Sequence, residues 1–578
     1  MILAAAAAVL LVQGSASDSL AARVHRLADS YLAAYWERHP DEATLDGVTG
    51  VTNVHHDRLP DNSFLNSTRW ERREDAWLAA LARIDPAPLA GRPEWIAYGI
   101  MRDALEGSIA TRVCRYELWN VSHSGDSWLS TITALAALQP VNTAAARREA
   151  LARWSAVPRY IAIETANHRE GLRAGYTAPQ GPVRVLLSQI DTLLATPTAQ
   201  SPLFDPARRD TTAAFRADLT RVIEREILPA MRRYRAFLTG EYLPRARSAI
   251  GVSANPHGAE CYRATIRAVT GLALSPDSVH RLGIATVAAL EGEMRAIAAR
   301  SFGGLDVSQL LERLRTDTAY TFHTRDEMLE HARAALERAR AATGRWFGRS
   351  PRAAVIVEPY SAFDERQSVG EWNPPAEDGS RPGIYFLSTY DPTHKSRADL
   401  EALSFHETIP GHHQQGALAL ERGDTIPAIA RYFWSPGFGE GWAEYAEQLA
   451  DEMGLYSSDT ARFGAVADIT LSATLLVVDT GINAFGWTRE QAIAYIREHT
   501  RVPRLRAEVG VDRYPMRPAQ GLSYGLGRLE IRRLRALAEQ ALGARFDIKA
   551  FHDRVLANGA VPLPVLRAEI ERWIAAQR

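Results

Sequence analysis

Apolar residues recur at helical spacing along most of this chain. The longest stripe places apolar side chains three or four positions apart between residues 215 and 238. Its members are Phe215, Leu219, Val222, Ile223, Ile227, Met231, Tyr234 and Leu238. Because such positions fall on one face of an α-helix, the stripe predicts a long helix that buries this face in the core. Pro229 lies within the stripe and predicts a kink, since proline cannot donate a backbone hydrogen bond.

Similar stripes predict helices near both ends of the chain. Residues 20–35 and 526–542 each carry apolar positions at spacings of three and four. Another helix is predicted to begin after Ser275, because Pro276 then occupies the first helical position, where proline is favoured. The pattern therefore predicts a mainly α-helical protein.

Strand signals are confined mainly to two short segments, residues 354–357 and 384–389. β-branched and aromatic residues cluster there between turn-forming segments rich in proline and glycine. We expect these segments to form a small antiparallel β-sheet.

Length and composition are those of a large globular protein. The chain has 578 residues, of which 46% are hydrophobic and 23% are charged. No stretch is long enough to be a linker, so we expect one domain over residues 17–578, with two halves at 17–270 and 271–578 around a cleft as an alternative. The formal net charge of −1, from 67 basic and 68 acidic residues, gives no bulk attraction to nucleic acid or to an anionic membrane.

Residues 1–16 have the character of a signal peptide. An unbroken apolar run from residue 2 to residue 12 is followed by small residues suited to cleavage after Ala16. The run is too short to span a bilayer, which needs about 20 residues, so we expect no stable membrane insertion. No basic residue precedes it, since Arg23 is the first, which leaves open a start further upstream. No cysteine follows the run, which argues against a lipid anchor, and we expect an exported protein, periplasmic or extracellular.

Export bears on the oxidation state of the two cysteines of the chain. Cys114 and Cys261 could oxidise to one disulfide bridge in an oxidising compartment. Two free buried thiols are an equally good interpretation of the sequence.

Three histidines and a glutamate lie close together in the segment 405–413, which reads Phe-His-Glu-Thr-Ile-Pro-Gly-His-His. A neutral imidazole binds Zn²⁺, and a glutamate beside it can accept a proton from water, which is the chemistry of His-Glu-x-x-His zinc hydrolases. A lone histidine on a helix is more often packed or exposed than bound to a metal. A cluster of this density is harder to explain by packing, because buried charge is costly unless it is paired or metal-bound.

The segment departs from the usual pattern, because Pro410 stands where the second histidine belongs. On a regular helix, His412 would point about 240° away from His406, and His413 would lie on the same face but about 10.5 Å along the axis. Pro410 and Gly411 favour an interruption of the helix here. Omitting two residues restores the pattern with His412, so we favour His412 as the second ligand and keep His413 as the alternative.

A third ligand is offered by Glu440, which follows a Pro-Gly turn in the segment 436–443. Two imidazoles and one carboxylate leave an open position on zinc, as in catalytic sites. We therefore predict one zinc ion per chain, bound by His406, His412 and Glu440, with Glu407 as the general base.

The residues at 406–413 with Gln415, and Glu-Gly-Trp-Ala at 440–443, resemble the bacterial family known as domain of unknown function 885. Its members are similar to the angiotensin-converting-enzyme and oligopeptidase group of helical, gluzincin-like zinc peptidases. The resemblance extends to residues 258–262 and 518–525 and covers nearly the whole mature chain. It implies a large helical, zincin-like metallopeptidase fold with the same ligands and base.

The resemblance also implies a role for Tyr524, which lies among glycines. Its phenol would donate a hydrogen bond to the oxyanion formed when a peptide carbonyl is attacked. Tyr514 is the second choice, and an ordinary buried tyrosine is the alternative interpretation. Glu444 lies four residues after Glu440 on the same helical face, so we expect it to accept a hydrogen bond from a ligand histidine unless it faces solvent.

Tyr385 and Leu387 lie in the predicted strand just before the metal segment. In zinc peptidases generally, an edge strand beside the site pairs with the extended substrate. We therefore expect Tyr385 and Leu387, together with the remaining histidine His413, to contact substrate.

These residues predict an exported zinc peptidase that acts on short peptides or chain ends. A metal-organised peptide-binding protein without turnover is the alternative from another class, although a binding site would have no use for the base Glu407. Hydrolysis of another amide or an ester would use the same residues. The sequence does not distinguish aminopeptidase, carboxypeptidase and dipeptidase action, and it leaves the oligomeric state open.

Overall fold

The computed structural model describes residues 2–48, 53–123, 127–360, 365–366, 368–377, 379, 381–500 and 502–578, with side chains described from residue 19 onward. Within these residues the fold is mainly α-helical and carries one small β-sheet, as predicted. The division of the chain into domains or halves stays a prediction.

Helices follow one another along the whole chain. In the first part they are α1 (Ile2–Arg38), α2 (Pro40–Leu45), α3 (Phe64–Leu81), α4 (Pro93–Thr111), α5 (Trp128–Leu138), α6 (Ala144–Ala174), α7 (Gln180–Ala195), α8 (Asp205–Arg208), α9 (Ala213–Val222), α10 (Leu228–Phe237), α11 (Gly258–Thr270), α12 (Pro276–Ser301), α13 (Val307–Thr316) and α14 (Arg325–Thr343). After the strands come α15 (Arg397–Glu407), α16 (His412–Glu421), α17 (Ala428–Tyr432), α18 (Pro436–Glu452), α19 (Asp459–Asn483), α20 (Arg489–Thr500), α21 (Arg504–Arg513), α22 (Leu522–Leu542), α23 (Ile548–Val555) and α24 (Leu563–Gln577).

The predicted long stripe is confirmed as a core-facing helical segment. All eight of its apolar side chains belong to one buried cluster. Pro229 sits in the first turn of α10 and is preceded by a π-helical turn, Ile223–Ile227, which connects α9 to α10. A π-helical turn shifts the hydrogen-bond pattern, so the segment continues past a residue that cannot donate.

The helix predicted after Ser275 is also confirmed. Helix α12 begins at Pro276, and the Ser275 side chain accepts a hydrogen bond from the backbone N–H of Ser278. This is the capping interaction expected of a serine before a helix.

The sheet has three strands, β1 (Val355–Pro359), β2 (Gly370–Asn373) and β3 (Gly383–Leu387), in the order β1-β3-β2. β3 pairs in parallel with β1 and antiparallel with β2, so the sheet is mixed where an antiparallel sheet was expected. The sequence indicated β1 and β3. It did not indicate β2, because Gly-Glu-Trp-Asn is short and carries no alternation of apolar and polar residues.

The central position of β3 corrects one prediction about substrate. Tyr385 and Leu387 are 0% and 1% exposed, and their strand has a neighbour on each side. A strand paired on both sides cannot add a substrate strand, which leaves the edges of β1 and β2. Of these, β2 carries Trp372, whose ring is stacked on the candidate ligand His412.

The two cysteines are joined in a disulfide. Their Cα atoms lie 4.7 Å apart, and the bond connects the turn after α4 to α11. Of the two interpretations that the sequence left open, the structure has the bridge.

Helices α18 and α22 cross at very short range through glycines. A Cβ atom added to Gly441 would lie 2.5 Å from the backbone of Gly527, and one added to Gly527 would lie 1.9 Å from the carbonyl oxygen of Gly437. Only glycine permits this approach. The crossing brings the helix that carries Glu440 against the helix that carries Tyr524.

One described helix, α19, is long and apolar enough to cross a membrane by length and composition. Of its most apolar window, 83% is buried inside the protein, as in a core helix.

Candidate metal centre

The helix that carries the first histidine is interrupted directly after it, as predicted. Helix α15 ends at Glu407 and α16 begins at His412. At the end of the connection, a Cβ atom on Gly411 would lie 1.9 Å from the carbonyl oxygen of His406, so only glycine fits. The backbone N–H of His413 then donates to the carbonyl of Thr408 at 3.0 Å, which starts the new helix.

This interruption brings three candidate metal ligands together. One ligand atom from each of His406, His412 and Glu440 lies within 4.8 Å of the others. The Oε2 atom of Glu440 is 3.8 Å from Nε2 of His406 and 3.5 Å from Nε2 of His412. Their side chains are 12%, 10% and 18% exposed, so the group is largely buried but still partly accessible to solvent.

His413 lies outside this group, and both of its ring nitrogens are engaged elsewhere. Its Nε2 lies 2.9 Å from the carbonyl oxygen of Ala353, to which it donates, and its Nδ1 accepts a hydrogen bond from the indole N–H of Trp372 at 3.3 Å. Burial lowers the pKa of His413 to about 4, so the ring is neutral. With 1% exposure it links α16 to the sheet, which corrects its predicted contact with substrate.

The partner of His406 is Glu447, which corrects the assignment to Glu444. Nδ1 of His406 lies 2.7 Å from Oε1 of Glu447. A carboxyl group at that distance orients the ring through Nδ1, so that Nε2 is the nitrogen available to a metal ion. Glu444 is instead paired with the fully buried Arg528 at 3.3 Å. Glu444 and Glu447 lie four and seven residues after Glu440 on α18. It is Glu447, two full turns after Glu440, that meets His406 of α15.

The pKa values at the site reflect competition between burial and pairing. Burial favours neutral His406, but the nearby carboxyl groups of Glu440 and Glu447 prevail and raise its pKa well above the usual range. Burial would raise the pKa of Glu440, and the two adjacent imidazoles instead lower it. Burial also raises the pKa of Glu447, to about 8. Glu440 is therefore the permanent negative charge of the group.

Glu407, the predicted base, is buried, and its charge acts on His406 and on Tyr524. Its charge adds to burial in raising the pKa of Tyr385, whose hydroxyl is fully buried. The same charge contributes to the raised pKa of Tyr360, after burial and the nearer carboxylate Glu371. Two tyrosines on the sheet side thus lie in the field of Glu407, and the sequence did not indicate Tyr360.

Tyr524 reaches the centre from α22. Its ring centroid lies 6.4 Å from that of His406, and the two rings are stacked at 27°. Burial and then the charge of Glu440 raise the pKa of its phenol, which keeps the hydroxyl protonated and able to donate. Tyr514, the second choice, packs beside a separate apolar cluster formed mainly by α19, α20 and α21.

A buried carboxylate fixes the turn before Tyr524. Asp479 accepts hydrogen bonds from the Tyr262 hydroxyl at 2.6 Å and from the backbone N–H of Ala519 at 3.0 Å. Ala519 has φ of +66°, which is uncommon for a residue with a side chain, so external contacts must hold it. The next residue, Gln520, donates from Nε2 to the Tyr524 hydroxyl at 3.3 Å. The segments 258–262 and 518–525, which the family resemblance singled out, thus both contact Asp479.

Two tryptophans flank His412, and neither lies in a periodic pattern that could have indicated it. The ring centroid of Trp434 is 5.6 Å from that of His412, and the ring of Trp372 on β2 is stacked on it at 6.3 Å. Trp372 is fixed by its hydrogen bond to His413 and by Gly416, where a Cβ atom would lie 2.2 Å from the indole. Trp434 is 41% exposed and forms an apolar surface beside the candidate ligands.

Comparison with known proteins gives a family and a fold. A family model described as "Bacterial protein of unknown function (DUF885)" matches residues 40–570. The crystal structure of a "putative lipoprotein" from Colwellia psychrerythraea superposes with a TM-score of 0.89 at 24% identity, over 97% of this chain and 99% of its own. No curated protein matches this chain significantly.

Two further structures are more distant. A "putative lipoprotein of unknown function" from Shewanella oneidensis has a TM-score of 0.74 at 18% identity, over 94% of this chain and 98% of its own. At these identities the two lipoprotein structures show the fold alone. A "putative oligoendopeptidase F" from Bacillus anthracis str. Ames has a TM-score of 0.26 at 11% identity, over 87% and 96% of the chains, which is too low to carry an argument.

Proposed function

Since the chain belongs to the bacterial family of unknown function DUF885, we propose its activity from the site itself: an exported, zinc-dependent peptidase that hydrolyses peptide bonds of short peptides or chain ends. The observation that carries the proposal is the convergence of His406, His412 and Glu440 within 4.8 Å, with Glu407 adjacent to the first ligand. A histidine cluster without this carboxylate neighbour would support binding and not hydrolysis.

The donor set fits zinc. Two imidazole nitrogens and one carboxylate oxygen are typical of catalytic zinc sites, and the buried carboxylate on Nδ1 of His406 is the usual support for such a ligand. The ligands would be His406, His412 and Glu440. When bound, zinc supplies a Lewis acid that polarises a carbonyl group and lowers the pKa of water toward about 7.

The side chains around the ligands have distinct roles in this proposal. Glu407 accepts the proton of the attacking water and delivers it to the leaving amine. Tyr524, kept protonated by burial and by Glu440, donates a hydrogen bond to the oxyanion that develops on the carbonyl. The edge strand β2 would bind the extended backbone of the substrate, and Trp434, which lies against His412, would contact a substrate side chain.

Export is supported by two independent observations. The Cys114–Cys261 disulfide is expected in an oxidising compartment outside the cytoplasm. Two solved structures with the same fold are described as putative lipoproteins, which are proteins of the cell envelope. Both agree with the predicted leader, and we propose an envelope or extracellular location.

The proposal is tested by metal analysis together with a peptide screen. Purified protein should carry about one zinc per chain and should cleave peptides in a mixed library, with cleavage lost after chelation and restored by zinc. Glu407→Gln should keep the zinc and lose roughly 10²–10⁴ in turnover, because the amide cannot accept the proton. Peptide binding without cleavage by the zinc-loaded protein would point to the non-hydrolytic alternative. Cleavage of esters alone would point to another hydrolase.

A further inference from the structure

Arg513, at the end of α21, has a guanidinium group that no carboxylate neutralises within the described part of the chain. It is half-buried, and its side-chain hydrogen bond runs from Nη2 to the Oε1 atom of Gln520 at 3.4 Å. The neighbouring carboxylate, Asp512, is already held by Arg489 through two hydrogen bonds of 2.7 and 2.9 Å. Most other arginines at this end of the molecule are paired, as Arg504 is with Glu490 and Glu508.

The guanidinium lies close to the candidate catalytic hydroxyl. The amide of Gln520 accepts from Arg513 on its oxygen side and donates to the Tyr524 hydroxyl on its nitrogen side at 3.3 Å. The positive charge of Arg513 also acts on the Tyr524 phenol, opposing the effects of burial and Glu440. One amide group and two hydrogen bonds therefore bridge the cation and the phenol.

The distance between the Arg513 guanidinium and the Tyr524 hydroxyl is comparable to the length of a short peptide segment. Two hydrogen bonds of 3.4 and 3.3 Å and one amide between them set its upper limit. An extended chain rises roughly 3.3–3.6 Å per residue, so the limit corresponds to two or three residues. A substrate whose scissile carbonyl contacts Tyr524 can thus place a group one or two residues further along the chain against Arg513.

We propose that Arg513 binds the C-terminal carboxylate of the substrate and makes this protein a carboxypeptidase that removes one or two residues from the end of a peptide. The inference rests on the proposed peptidase function and deepens it. A half-buried arginine without an acidic partner offers a planar set of donors that matches a carboxylate in a bidentate geometry. Gln520 orients this group and the phenol together, so recognition of the chain end and placement of the carbonyl are linked.

The carboxylate could also come from an aspartate or glutamate side chain near the scissile bond. The C-terminus is favoured because the carboxylate must lie within one or two residues of the cleaved bond. In an internal position, the chain would have to continue past a cation that is already half-buried. The test separates the two sources.

The experiment compares three peptides of one sequence: one with a free C-terminus, one amidated, and one amidated with an aspartate two residues after the cleaved bond. Wild-type protein should cleave the free peptide with kcat/KM about 10–100-fold above the amidated peptide, in keeping with a charged hydrogen bond in a desolvated site. Mass spectrometry should locate cleavage one or two residues from the end. Arg513→Met should bring the ratio of the two rates near one, and Arg513→Lys should give an intermediate ratio, since lysine keeps the charge but loses the planar donors.

The ratio is measured within each variant, so partial loss of folded protein does not affect it. Arg504→Met removes an exposed, paired arginine from the same helix and should keep the wild-type ratio. Equal cleavage of free and amidated peptides by the wild type would overturn the inference while leaving the peptidase proposal intact. So would restored cleavage of the amidated aspartate peptide, which would assign Arg513 to an acidic side chain. Absence of cleavage of all three peptides by zinc-loaded protein would instead count against the proposed function.

Discussion

Nδ1 of His406 lies 2.7 Å from Oε1 of Glu447, and this carboxylate is almost completely buried. The imidazole of His406 therefore sits between two carboxylates of one helix, with Glu440 near its other nitrogen at 3.8 Å. Seven residues separate the two glutamates, which is two helical turns or about 10.5 Å. The ring of His406 thus connects the candidate metal ligand Glu440 to a second acidic residue outside the candidate ligand group.

We expect Glu447→Gln to weaken metal binding without removing a ligand. The amide is a poorer partner for Nδ1 than the carboxyl group of Glu447, so His406 becomes less basic and less firmly oriented. Loss of such a partner typically costs 10–100-fold in metal affinity. Competition titration with a chromophoric zinc chelator measures the effect.

Glu444→Gln is the matched control on the same helix. Glu444 and Arg528 form a pair that is 2% and 1% exposed, and breaking it leaves the guanidinium uncompensated. We expect a loss of stability of about 3–5 kcal/mol, seen as a lower melting temperature, with zinc affinity of the folded protein close to that of the wild type. If Glu444→Gln and not Glu447→Gln weakens zinc binding, the assignment of the carboxylate partner is reversed.

The second prediction distinguishes the adjacent histidines. His412→Ala should abolish stoichiometric zinc, because only two ligands remain. His413→Ala should retain zinc and lose stability, since it breaks the contacts of this ring with Ala353 and Trp372. Elemental analysis after dialysis and thermal unfolding of both variants give the answer. Zinc retained in His412→Ala but lost in His413→Ala would show that His413, and not His412, is the second histidine ligand.

Patterns among neighbouring residues predicted much of this fold. They did not predict features that depend on packing between distant segments. Helical stripes and the break at Pro410 and Gly411 were readable, because each depends on neighbouring residues. The choice of Glu447 over Glu444 was not readable, since both spacings return to one helical face and only the position of α15 selects between them. Strand β2 was missed for a related reason. Its residues become a strand through pairing with β3 and through contacts of Trp372 with α16.

The glycine crossing of α18 and α22 supports a third prediction. Gly527→Ala should destabilise the protein by about 1–3 kcal/mol, because its Cβ atom would meet the backbone of Gly437 at 1.9 Å and neither helix can yield. Turnover should also fall, since the crossing sets the position of Tyr524 relative to Glu440.

Gly292→Ala is the control. The nearest atom to its Cβ would be the end of the Arg295 side chain at 3.8 Å, so we expect a small gain in stability of about 0.4–1 kcal/mol. Thermal unfolding and kcat of both variants test this, and a neutral Gly527→Ala would mean that the helices separate without cost.

The fourth prediction concerns Tyr262, whose hydroxyl donates to Asp479 at 2.6 Å. Tyr262→Phe removes one of the donors that hold this carboxylate, and a hydrogen bond to a charged group is worth about 1.5–3 kcal/mol. We expect a lower melting temperature and a reduced kcat, because Asp479 also fixes the turn at Ala519 that precedes Tyr524. Tyr234→Phe, a buried tyrosine whose hydroxyl lies near His168, should lower stability and leave kcat unchanged. Equal kinetic behaviour of the two variants would reduce Tyr262 to a purely structural residue.

Tyr524→Phe is the last prediction and tests the proposed oxyanion donor directly. The substitution deletes one oxygen and keeps the ring stacked against His406. If the hydroxyl contacts the substrate mainly in the transition state, kcat should fall while KM changes little. Loss of one such donor typically costs ~10²–10³ in rate, or roughly 3–4 kcal/mol.

A second substitution makes this test specific. If Tyr262 acts on catalysis only through Tyr524, the double variant Tyr262→Phe/Tyr524→Phe should have the same kcat as Tyr524→Phe alone, because the hydroxyl to be positioned is gone. Additive losses would mean that Tyr262 and Asp479 act by another route. An unchanged kcat in Tyr524→Phe would remove the phenol from the mechanism, and Tyr360, which lies in the field of Glu407, would become the next donor to test.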